Sequence, residues 1–163
     1  MTKIINYLQL KAARNTLDLG IREIAKLLRV SKSTVSNAEL GKTRDFFFKH
    51  SAALCDFFLK NNIHFPNEYS IRYYHTIEIE YSEHLTRFQL KSARSILNIS
   101  QLELATLIGI DKGVISRTEL TKNFDFINPP NTAVNSKLKN LFQHRNIEFP
   151  DPFSIFFKKY IDK

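Results

Sequence analysis

The sequence predicts a mainly α fold made of two similar tandem units. Each unit has four or five helices followed by a β-strand, and the two strands pair across a pseudo-two-fold axis. Three observations predict this: an internal repeat, apolar residues at helical spacing within each copy, and an alternating pattern where each copy ends.

The repeat is read first because it sets the frame for everything else. Gln9-Leu10-Lys11-Ala12-Ala13-Arg14 lies over Gln89-Leu90-Lys91-Ser92-Ala93-Arg94 at an offset of 80, and between 8–40 and 88–120 there are 13 identities in 33 positions. The match runs through Leu17/Leu97, Glu23/Glu103, Ala25/Ala105, Leu27/Leu107, Lys32/Lys112 and Ser36/Ser116 to Glu39-Leu40 over Glu119-Leu120. It resumes at an offset of 84, where Ile63-x-Phe65-Pro66 lies over Ile147-x-Phe149-Pro150 and Ser70-Ile71 over Ser154-Ile155. The second copy has therefore gained four residues, most simply in the loop around Asn128-Pro129-Pro130. We divide the chain into a first unit over 1–82 and a second over 83–163.

Within the first copy, Leu10, Ala13 and Leu17 recur at i, i+3, i+7, which predicts an amphipathic helix over about 5–17. Asp18-Leu19-Gly20 breaks it. Ile21, Ile24, Ala25 and Leu28 then mark a short second helix. Ser31 is placed as the N-cap of a third helix over about 32–40, which Gly41 ends. A fourth, about 46–61, buries Phe47, Leu54 and Phe58. The second copy repeats the series near 86–97, 101–108, 112–120 and 132–145, with Asp111 and Asn131 as caps.

After the prolines the period changes to two. Ile71, Tyr73, His75, Ile77, Ile79 and Tyr81 alternate with Arg72, Tyr74, Thr76, Glu78 and Glu80, the pattern of a strand with one buried face. Ser154 to Ile161 is the shorter counterpart. A lone strand leaves its backbone groups unpaired, so the two are expected to pair antiparallel with each other, or either with a second molecule.

Composition narrows the function. The 163-residue chain is 43% hydrophobic and 25% charged, a globular balance. It has no run of about 18 apolar residues for a membrane span. A single cysteine, Cys55, closes no internal disulfide and is expected in the core of a protein from a reducing compartment. No secretory signal is evident at the N-terminus, and a cytoplasmic, nucleoid-associated location is expected. The net charge is +8, with 12 basic and 8 acidic residues on each side of Glu80, so each half carries +4. That favours a polyanionic partner, nucleic acid before membrane. The five histidines, His50, His64, His75, His84 and His144, are scattered without metal-ligand spacing, and His75 and His84 are expected to be solvated. With four glycines and no phosphate loop, no enzyme, metal or cofactor is expected. Phe46-Phe47-Phe48 cannot all face inward, so one Phe is expected at the surface.

Two short helices joined by a tight turn, the second capped by Ser or Asp, form a helix-turn-helix, so the chain reads as two tandem helix-turn-helix units. Its clearest copy is Ser100-Gln101-Leu102-Glu103-Leu104-Ala105-Thr106-Leu107-Ile108-Gly109-Ile110-Asp111-Lys112-Gly113-Val114-Ile115-Ser116, with Glu119 closing the third helix. Small Ala25 and Ala105 allow the helices to cross closely, and Val30/Ile110 and Val35/Ile115 plug the turn into the core. Gly109 suits a left-handed turn, whereas Arg29 at the same place costs about 1 kcal/mol.

These residues resemble the Cro/phage-repressor type (XRE-like) helix-turn-helix family over roughly 8–66 and 88–150. The trailing Ile-x-Phe-Pro before a strand looks like a bacterial subgroup of small regulators within it. The resemblance implies ion pairs from Arg14 to Glu39 and from Arg94 to Glu119, each bridging the first and third helices. It also implies that the third helix of each unit enters a DNA major groove, with the second helix's N-terminus on phosphate. By register the DNA-facing residues are then Lys32, Ser33, Thr34, Ser36 and Asn37 in the first copy, and Lys112, Gly113, Ser116 and Arg117 in the second. Gln101 would hold a phosphate; its counterpart, Ile21, cannot. Arg117 suits guanine and Asn37 adenine.

The function expected is a sequence-specific double-stranded DNA-binding transcriptional regulator, repression ahead of activation, acting as a covalent pseudodimer on an imperfect palindrome. The chain would work as a monomeric pseudodimer or a homodimer. The rival is a protein-binding regulator, an antiactivator or antitoxin, that keeps a degenerate helix-turn-helix as scaffold.

Overall fold

A computed structural model describes residues 3–75, 82–127 and 132–158. Four helices and two short strands occur in each half. The first half holds α1 (Tyr7–Thr16), α2 (Ile21–Leu28), α3 (Lys32–Glu39), α4 (Asp45–Lys60), β1 (Ile63–His64) and β2 (Ser70–Tyr73). The second holds α5 (Arg87–Ile96), α6 (Gln101–Ile108), α7 (Lys112–Thr118), α8 (Thr132–His144), β3 (Ile147–Glu148) and β4 (Ser154–Phe157). The cap expected at Asn131 and the insertion at 128–130 lie outside the described residues.

Local chemistry explains the helix starts. Asn6 and Thr86 each close a capping box with the glutamine three residues on, Gln9 and Gln89, and Ser100 does so with Glu103. Ser31 accepts from the Thr34 amide and Asp111 from the Gly113 amide. The stops are also local. Asp18 and Asn98 turn the chain at φ 58 and 56, and Arg29 and Gly109 do so at φ 55 and 69. Arg29 thus holds the left-handed conformation expected of it. At Gly41, φ is 71 and its amide donates to Ala38, ending α3.

The strands form one antiparallel sheet in the order β1-β2-β4-β3. At its centre β2 pairs with β4, Ile71 opposite Ile155, so the strands expected to tie the halves together do pair. Both are shorter than expected: β2 ends at Tyr73, Tyr74 and His75 continue outside it, and the remainder of the expected pattern at 76–81 and 159–161 lies outside the described residues. The Ile-x-Phe-Pro segments instead supply the flanking strands β1 and β3, each folding back on its neighbour; two-residue strands carry no periodicity to read.

One hydrophobic core runs through both halves. α1 packs along α5, and α1 and α5 cover β2 and β4 respectively. Leu10, Ile24, Val35, Leu54, Phe58 and Ile71 are buried in the first half, and Leu90, Leu104, Ile115, Phe142 and Ile155 in the second. Of the Phe run, Phe46 and Phe47 are buried and Phe48 is 69% exposed. Cys55 is half-buried and packs against the edge of the core rather than within it. His75 and His84 are half-buried, each with a partner in the protein. His75 stacks on Phe153 with ring centroids 5.5 Å apart, and His84 Nδ1 lies 2.9 Å from the Ile127 carbonyl. Both contacts come from loops far away in sequence.

Candidate nucleic-acid interface

The third helix of each half, α3 and α7, is held from behind by a buried ion pair. Arg14 Nε and Nη2 donate to the two Glu39 carboxylate oxygens at 2.6 and 2.8 Å, and its Nη1 caps the Leu19 carbonyl at 2.6 Å. Arg94 makes the same fork to Glu119 at 2.6 and 2.8 Å, with Nη1 on the Ile99 carbonyl. Both glutamates are buried. A bidentate fork fixes orientation as well as distance, so α3 and α7 cannot rotate about their axes without leaving a buried charge unpaired. Ala25 and Ala105, both buried, let α2 and α6 approach the helices they precede.

The outward faces carry the sequence-derived candidates. Lys32, Ser33 and Asn37 on α3 are exposed, with Thr34 and Ser36 half-buried; on α7, Lys112 and Arg117 are exposed, with Gly113 and Ser116 half-buried. Among the described residues the side chains of Lys32, Asn37, Lys112 and Arg117 make no hydrogen bond. The first-turn hydroxyls of α3 are occupied: Ser31 Oγ lies 2.7 Å from Ser33 Oγ and 2.8 Å from Thr34 Oγ1. Neither α3 nor α7 has an acidic residue in its first turn, although Asp111 caps α7. Gly113 leaves a space that matters. A Cβ there would lie 2.7 Å from Asp111 Oδ1 and 3.4 Å from Arg117 Nη1, so the arginine lies back over the helix's first turn.

Gln101 stands apart from the others. Its amide donates to Glu119 Oε2 at 2.9 Å, adding a third donor to the buried carboxylate. The side chain expected on a phosphate is thus turned inward, and Ile21 at the matching place has nothing to offer an anion.

The chemistry missed from the sequence lies between the halves. Arg87, 3% exposed, donates from Nε to the Glu119 carbonyl at 2.9 Å, from Nη1 to the Thr16 carbonyl at 2.9 Å and to Asn123 Oδ1, and from Nη2 to Asp18 Oδ2 at 2.6 Å. Lys91 also reaches Asp18, and Asn123 Nδ2 donates to the Thr16 carbonyl at 3.1 Å. Burial works to raise the Asp18 carboxyl, but the Lys91 hydrogen bond and the Arg87 and Lys91 charges outweigh it and hold the group below its ordinary value. No pattern signals Arg87, because its counterpart is Tyr7 and all its acceptors are distant in sequence or on the main chain.

Other chemistry is sparse. Among the described residues no group of three or more His, Cys, Asp or Glu is placed to hold a metal ion, and no helix is long and apolar enough to cross a membrane. A shallow cleft beside His84, Gln89, Lys139 and Asp151 has its donors engaged: Gln89 Nε2 on the Asp151 carbonyl, Lys139 on the Glu83 carbonyl and His84 on Ile127. Comparison of the chain with protein-family models, with curated proteins and with solved structures finds no match.

Proposed function

We propose that this protein is a sequence-specific double-stranded DNA-binding transcriptional regulator of the Cro/phage-repressor type, most simply a repressor, working in a bacterial cytoplasm as a covalent pseudodimer. In this reading 1–82 and 83–163 descend from one duplicated unit, and a pseudo-two-fold axis passes near the Ile71–Ile155 pair at the centre of the sheet. The observation that carries the proposal is the state of Lys32, Asn37, Lys112 and Arg117. They stand on the outer faces of two helices locked from behind by Arg–Glu forks, and among the described residues they make no side-chain hydrogen bond. Donors left free on a rigid helix suit the phosphates and base edges of a major groove. The two heads differ, so the operator is an imperfect palindrome, with half-sites about 34 Å apart, one turn of DNA.

The test is selection of a random-sequence duplex pool at two salt concentrations. A two-part site should be enriched, with affinity falling steeply as salt rises. A second expectation concerns one residue: Arg117→Ala should relax base preference in one half-site by about 1–3 kcal/mol, measured by competition among single-base variants. Equal loss on every sequence would make Arg117 a phosphate contact.

A protein-binding regulator, antiactivator or antitoxin, is the second reading, and a specific observation favours it. The anchoring glutamine is spent on Glu119 in one unit and replaced by Ile21 in the other, so neither unit presents that phosphate contact. Weak, sequence-blind binding in the pool selection would favour this reading.

A further inference from the structure

We propose that Arg87 is a positioning residue that locks the second reading helix to the first half of the chain and so sets the spacing of DNA half-sites the protein accepts. The proposal rests on the DNA-binding reading for its consequence, but the lock itself stands on geometry.

The two reading helices are joined by a path of ion pairs, main chain and hydrogen bonds to main-chain carbonyls. At one end Glu39, at the C-terminus of α3, is gripped by Arg14 of α1. Two residues beyond Arg14, the Thr16 carbonyl ends α1 and accepts from Arg87, which also binds Asp18 in the turn that follows. Arg87 in turn donates to the Glu119 carbonyl at the C-terminus of α7, while the Glu119 side chain is held by Arg94. Arg87 thus joins the end of α7 to the first half, beside the Lys91–Asp18 pair and the Asn123 amide on the Thr16 carbonyl. Its planar guanidinium binds four acceptors from three segments, and each bond restricts a different direction of movement.

The path is also one-sided. The position matching Arg87 in the first half is Tyr7, 41% exposed, whose ring lies beside Gly41 just past α3. In return Lys11 of α1 binds Asn98 and the Asn15 amide donates to Ser95 Oγ, but among the described residues no hydrogen bond runs from the end of α3 itself to the second half. Packing of α1 on α5 and pairing of β2 with β4 hold the halves together near their centre. The Lys91–Asp18 pair and the Asn123–Thr16 bond would remain without Arg87, but neither is made by α7, so α7 could pivot about that centre, and a small pivot there shifts a reading head along the DNA groove. A buried, fully bonded charge is suited to choosing one arrangement of two packed bodies over its neighbours.

The experiment has two arms. In the first, without DNA, spin labels on Lys26→Cys and Thr106→Cys in a Cys55→Ser chain report the distance between α2 and α6, which carry the two reading helices. The unaltered clamp should give one narrow distribution, broadened by Arg87→Met and, to a lesser degree, by Asp18→Asn. In the second, duplexes carry the selected half-sites at a series of spacings. The wild-type chain should prefer one spacing, and Arg87→Met should reduce that preference by roughly tenfold, the order of coupling a packed polar network carries, with affinity for a single half-site unchanged. Unaltered distance distributions in Arg87→Met overturn the lock. An unchanged spacing preference overturns its role on DNA. Should Arg87→Met fail to fold, Asp18→Asn, with a side chain 64% exposed, serves in both arms. Absence of any selected site in the wild type would sink the DNA reading, while the distance arm still decides the lock.

Discussion

Arg29 and Gly109 occupy the same turn, and the difference between them is a measurable free energy. Both are left-handed, at φ 55 and 69, and a side chain there crowds its own carbonyl while glycine does not. Arg29→Gly should therefore stabilise the protein by up to about 1 kcal/mol, reduced by the greater freedom glycine has when unfolded, and Gly109→Ala should destabilise it by about 1 kcal/mol. Denaturant midpoints of the two variants check this, and shifts of the same sign would mean that the two turns differ. Gly113 is a different case. Its backbone is helical, and what it provides is room: a Cβ would crowd the Asp111 cap oxygen first and the Arg117 guanidinium second.

Among elements, the decisive comparison is between α3 and α7. Each is fastened by an arginine fork on a buried glutamate, but Glu119 has a further donor in Gln101 and Glu39 does not. Removing the arginine strands a buried carboxylate, at a cost of about 3–5 kcal/mol. Arg14→Met should approach that figure. Arg94→Met should fall short of it, because Gln101 still serves Glu119, and Gln101→Leu in that background should restore the full loss. Thermal melts of the three variants measure the difference. The pairing of residues 25 apart was legible from the repeat and the resemblance, because it recurs in both copies. The Gln101 bond was not, since the same side chain could equally reach outward to a phosphate, and only the position of Glu119 decides.

For the whole molecule, the repeat in the sequence and the presence of one core pull in different directions. The chain repeats its element order, yet α1 against α5 and β2 against β4 bury apolar faces that neither half covers alone. A fragment of residues 1–82 should therefore fail to melt cooperatively as a monomer. It should either remain unfolded or pair with itself, placing a second β2 where β4 stands. Circular dichroism together with sedimentation distinguishes these, and a cooperative monomer would show that the first half is an independent domain.

What could be read from residues in order is what local free energies determine. Helix positions followed from the spacing of Leu10, Ala13 and Leu17 and its repeats, and helix starts from Ser31 and Asp111, because periodicity and caps act within a few residues. The repeat offered the two matched strands either each other or a second molecule, and packing within the chain pairs β2 with β4. Tertiary structure alone decided the rest. It spent Gln101 inward, stacked His75 on Phe153, built strands from Ile63 and Ile147, and buried Arg87 among acceptors from three segments. A residue's choice of distant partner depends on which chain segments packing brings within hydrogen-bond reach. Where those partners are main-chain carbonyls such as Thr16 and Glu119, no side chain in the sequence marks them.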